Sequence, residues 1–117
     1  MALAHAVRSV VPEGGPLIPF ALVETAEGRS LARFVAELTE AQQEARTHVR
    51  AAPGALRAAV AWDGYLTYDG GRQDAVFVEA SDRDRASIVV AHPYHDAPGT
   101  AAALGSPILV GRGEPLL

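Results

Sequence analysis

Two stretches of strand length, Gln73–Ala80 and Ala86–His92, carry apolar residues on both of their faces. In the first, Ala75 and Phe77 alternate with Val76, Val78 and Ala80. In the second, Ile88 and Val90 alternate with Val89 and Ala91. Successive side chains of a strand point to opposite sides, so strands of this kind have to be covered twice. Only one segment reads as a long helix. The second cover therefore falls to an amino-terminal helix, to the carboxy-terminal segment, or to another subunit, and a symmetric dimer is the commonest form of the last.

The long helix is predicted over residues 31–51. Ser30 is its expected N-cap, and Leu31, Phe34, Val35, Leu38, Ala41, Gln42, Ala45, His48 and Val49 trace one face at a period of 3.6. Arg33, Glu37, Glu40, Gln43, Glu44 and Arg50 form the solvated face, and Pro53-Gly54 ends the element. A short amino-terminal helix is predicted from Leu3, Ala6, Val7 and Val10, stopped by Pro12.

Elsewhere the period is 2. Strands are expected at Leu17–Ala26, Leu56–Trp62, Tyr65–Tyr68 and Pro107–Arg112 as well as at the two apolar stretches. Turns are expected at Asp63-Gly64 and Asp69-Gly70-Gly71, and short helical character at Thr100–Leu104. At 117 residues the chain has the length of one domain. The order of elements predicts a single α+β domain over 1–117, with the 31–51 helix packed on a mainly antiparallel sheet of five to six strands.

Charge and composition exclude several functions. The chain has no cysteine, which removes thiolate metal sites, thiol catalysis and disulfide scaffolds. Ten basic residues, all arginine, face fourteen acidic ones for a net charge of −4. That balance argues against nucleic-acid and anionic-membrane partners, which attract an excess of basic charge. The missing lysine and asparagine and the abundant alanine fit a GC-rich genome better than phosphate recognition by arginine. Positive charge does not precede the first apolar stretch, and no run approaches the ~18 apolar residues of a membrane span. A cytoplasmic address is expected.

No cofactor motif is present. The glycine pairs at 14–15 and 70–71 do not lead from a strand into a helix, and no nucleophile elbow occurs. Ser81-Asp82-Arg83-Asp84-Arg85 lacks the glycine and glutamate of a calcium loop and reads as a solvated turn. His48 reads as a packed histidine of the helix stripe and His5 as an exposed one. The leading chemical candidate is His92-Pro93-Tyr94-His95-Asp96, where two imidazoles and a carboxylate lie at the end of a strand. As a metal site it lacks a third and fourth ligand at a diagnostic spacing. The richest aromatic stretch holds Trp62, Tyr65 and Tyr68, with Arg72 and Asp74 at its rim, residue types suited to an interface.

These readings predict a non-enzymatic, self-associating interaction domain. It is expected to form a homodimer with Trp62, Tyr65, Tyr68 and Arg72 as interface residues. The alternative is a small-ligand or metal-dependent binder or enzyme using His92, Tyr94, His95 and Asp96. A further reading gives the apolar end Leu116-Leu117 a contact with another protein.

Overall fold

A computed structural model describes residues 6–8, 17–68, 70–96 and 99–117, with the side chain of residue 68 outside that description. The elements are β1 (Phe20–Thr25), β2 (Gly28–Arg33), α1 (Leu38–Ala51), β3 (Arg57–Tyr68), β4 (Gly71–Asp82), β5 (Ser87–His95), β6 (Ala102–Ala103) and β7 (Ile108–Gly113). Residues 6–8 are helical. The strands run in the order β2-β1-β3-β4-β5-β6, with β7 also on β5, and each pairing is antiparallel. The architecture is α+β, as expected, with seven strands among the described residues rather than five or six.

The helix is shorter than its periodicity implied. Residues 30–33, expected to cap and begin it, belong to β2 instead. Their backbone groups pair with β1 through a tight hairpin that joins Thr25 to Gly28. Gly28 takes a φ of +141°, which a side chain would oppose. The Thr25 hydroxyl accepts from the Glu27 amide and donates to its carboxylate, closing the turn. The cap of α1 is Glu37, whose carboxylate accepts from Thr39 N at 3.3 Å. Ala41, Ala45 and Val49 are the buried face of α1, and the alanines bring its backbone close to the sheet. Val35, Leu38 and His48 of the expected stripe are exposed, so His48 is not packed in the core. It meets the Phe34 ring edge-on at 5.6 Å.

The expected turn at Asp63-Gly64 does not occur, and β3 runs through both residues. Gly64 is a packing glycine. A Cβ there would lie 3.0 Å from the Phe77 ring, which stacks on Trp62 at 5.7 Å. The expected helical character at Thr100–Leu104 gives way to β6, paired with Tyr94 and His95.

Alternation along β3 and β4 divides the core in two. On the helix side Ala21, Val23, Ala58 and Val60 pack against Ala45 and Val49 of α1 and against Leu116. Leu116 is thus part of the chain's own core, which corrects its reading as a contact for another protein. On the opposite side Phe20, Ala61, Val76, Val78 and Tyr94 are met by Ala6 and Leu17, with Val7 against them. The helix side of β1 and β3 is therefore covered by α1 and the carboxy terminus, and part of the far side of β1, β3, β4 and β5 by amino-terminal residues. Leu3 and Val10 of the expected amino-terminal helix, and His5, lie outside the described residues.

Candidate interaction surface

Among the described residues, the side of the sheet away from α1 is covered only at one end. Antiparallel register sets two rows of side chains across its other end. One row runs Leu31, Leu22, Ala59, Ala80, Ile88 across β2, β1, β3, β4 and β5. The next runs Arg29, Glu24, Arg57, Asp82 across β2, β1, β3 and β4. Leu22, Ala59, Ala80 and Ile88 of the first row floor a groove of about 440 Å³, in which Ile88 is 46% exposed. The second is a ladder of ion pairs. Arg29 Nε meets Glu24 Oε1 at 3.3 Å, Arg57 Nη1 meets Glu24 Oε2 at 2.7 Å, and Arg57 Nε meets Asp82 Oδ1 at 3.2 Å. Hydrogen bonding and charge from Glu24, with Asp82 behind it, raise the basicity of Arg57 further. Pairs so exposed add little stability. What they fix is a strict order of sign along the rim of an apolar groove.

At the covered end, Asp63 projects to this same side. Its Oδ2 accepts from Leu17 N at 2.6 Å and from the Tyr94 hydroxyl at 2.8 Å. Burial raises the pKa of Asp63 above its ordinary value, and the charges of Asp74 and Asp96 add to the effect against the two hydrogen bonds. Tyr94 is raised too, by burial first and by its bond to Asp63 second, so it stays a protonated donor.

On the helix side, Glu79 is buried and held by Arg46 at 2.6 Å and by the Ser87 hydroxyl at 2.5 Å. The Arg46 guanidinium also lies 5.7 Å from the centre of the Trp62 ring. These contacts tie α1 to the sheet.

The residues singled out from the sequence are divided by strand alternation. His92 and His95 are three apart on β5 and so fall on opposite faces. His92 Nε2 meets the Gly105 carbonyl at 3.2 Å, while His95 is exposed beside β6. Tyr94 is buried against Asp63, and Asp96 is exposed just past the strand. Among the described residues no group of three or more histidine, aspartate or glutamate side chains could hold a metal ion. The aromatic set divides the same way. Trp62 stacks on Phe77 toward α1, whereas Tyr65 lies on the other face with the Arg72 guanidinium 3.7 Å above its ring. Tyr68 pairs with Gly71 through its backbone at the end of the hairpin.

Sequence reasoning missed the ladder and the partners of Asp63 and Glu79. The ladder draws on four residues spread from position 24 to 82, and only the register of three strand pairs aligns them. Among the described residues, no helix is long and apolar enough to cross a membrane. Compared with protein-family models, curated proteins and solved structures, the chain finds no match.

Proposed function

We propose that this protein works by self-association, as a homodimeric, non-enzymatic interaction domain of the cytoplasm in which two copies join the open ends of their sheets. The order of charge in the ladder carries this reading. From β2 to β4 it alternates as Arg29, Glu24, Arg57, Asp82. A copy turned by 180° about an axis along the strands, between β1 and β3, presents the same row reversed. Arg29 then faces the partner's Asp82 and Glu24 faces the partner's Arg57, each contact being made twice. The apolar row follows the same rule. Leu31 lies over the partner's Ala80 and Leu22 over the partner's Ala59, so large meets small in both directions. Turning the copy about the ladder instead would set like charges together, so the pattern selects one arrangement.

Four strands and about four residues per strand make a patch of roughly 19 by 13 Å. That is small beside a permanent interface, and the proposed dimer is weak and reversible. Sedimentation velocity over a concentration series tests it. The expected result is a sedimentation coefficient that rises with concentration, with the rise reduced by added salt, which screens rim charges. Ala80→Arg, which fills the seat of the partner's Leu31, is expected to abolish it. Strictly monomeric sedimentation across the series removes the reading.

A further inference from the structure

A second cavity arises where the sheet loses a strand. β1 ends its pairing with β3 at Phe20 opposite Ala61, while β3 continues to Tyr68. The gap beside β3 is walled by the lead into β1, residues 17–19, and by Phe34, Val35, Ala36 and Leu38 of the link from β2 to α1. The resulting cavity is about 360 Å³ and its lining is chiefly apolar, with Ile18, Val35 and Leu38 all exposed. Among the described residues, Asp63 is the one carboxylate in its wall.

Asp63 is an acceptor with spare capacity. Both of its donors, Leu17 N and the Tyr94 hydroxyl, bond Oδ2, and neither is a cation. A carboxylate has room for about four hydrogen bonds, and among the described residues no donor is placed on Oδ1. Asp74 stands opposite Tyr65 in the β3–β4 ladder, and both Asp74 and Asp96 are near enough to act on Asp63 by charge. The Arg72 guanidinium, at the Tyr65 end of the cavity, is engaged with the Tyr65 ring.

We propose that this cavity is a binding site for a small organic ammonium ion: an apolar body seated among Ile18, Phe34, Val35 and Leu38, with its charged end on Asp63 Oδ1. A desolvated carboxylate with an open oxygen gains most from a charged donor. An apolar cavity with a few convergent polar groups is the usual form of a small-molecule site. This site is separate from the charge ladder, and either one can fail without the other.

The test uses three probes with the same body, hexylamine, hexanol and hexanoate, titrated into the labelled full-length chain and followed by amide resonances. Hexylamine is expected to give saturable shifts at Leu17, Gly64 and residues 34–38. Its affinity is expected to exceed that of hexanol by about tenfold, as for one charge-assisted contact, and hexanoate is expected not to bind. Asp63→Asn keeps an acceptor for Leu17 N and Tyr94 and is expected to remove the preference for the amine. Should that variant not fold, Ala36→Trp on the exposed link is expected to block both hexylamine and hexanol. Absence of saturable shifts with hexylamine overturns the proposal. So does equal binding of the amine and the alcohol, an unchanged preference in Asp63→Asn, or unchanged binding in Ala36→Trp.

Discussion

Asp63 and Glu79 show how two carboxylates on neighbouring strands acquire different tasks from their surroundings. Glu79 is paired with Arg46 and bonded by Ser87, whereas the donors to Asp63 among the described residues are neutral and it holds its proton more tightly than in the unfolded chain. In the window above its ordinary value of 3.8 the folded state therefore binds more protons at Asp63, and stability falls as pH rises through that window. Asp63→Asn is expected to gain stability relative to the wild type at pH 7 and to lose that advantage as pH falls to about the ordinary carboxylate value, as read from urea unfolding at each pH. A wild-type advantage that grows with pH contradicts the assignment. Gly113 serves Glu79 by its lack of a side chain, since a Cβ there would lie 2.9 Å from both Glu79 Oε2 and Ser87 Oγ. Gly113→Ala is expected to cost about 1–2 kcal/mol by overpacking. Gly111→Ala, with nothing within 4 Å of its Cβ, is expected to stay within about 0.5 kcal/mol. Equal unfolding midpoints for the two variants would contradict this. None of this was legible in the sequence, because Asp63-Gly64 is as good a turn as it is a strand interior. Only the Phe77 ring against Gly64 decides between them.

Elements were legible where one period had no rival. The apolar runs of β4 and β5 and the glycine turn between β3 and β4 gave strands within a few residues of those observed. The start of α1 had a rival. Leu31, Phe34 and Val35 fit a helical stripe, but Arg29, Leu31 and Arg33 also alternate with Ser30 and Ala32, and six residues of pairing to β1 favour the strand. A pair of variants tests this boundary. Glu37→Ala is expected to cost about 0.5–1 kcal/mol through loss of the cap on Thr39 N. Ser30→Ala, at an exposed position of β2, is expected to change stability by less than about 0.5 kcal/mol. The opposite order in denaturant unfolding would restore the helix over 31–51. The histidine pair failed as a site for a related reason. Residues three apart are neighbours on a helix and opposed on a strand, so once 87–95 is a strand, His92 and His95 cannot converge.

At the scale of the molecule, the need to cover both sheet faces was legible, and the means were not. The termini take part on both sides, Leu116 beside α1 and Ala6 on the far face, and among the described residues one end of that face is a groove with a signed rim. Cross-strand register alone produces that rim, so composition and motif reading had no access to it. The central claim is that the alternation of Arg29, Glu24, Arg57 and Asp82 matches a second copy of itself. Exchanging the two middle charges tests it most directly. Glu24→Arg alone brings two arginines together across the two-fold, and Arg57→Glu alone brings two glutamates together there. Both substitutions at once restore opposite charges across the two-fold while setting like charges side by side within each copy. Sedimentation equilibrium at low salt is expected to show self-association in the wild type, its loss in each single variant and its return in the double variant. Equal association in all four proteins, or loss in the double variant to the level of the singles, would contradict the account.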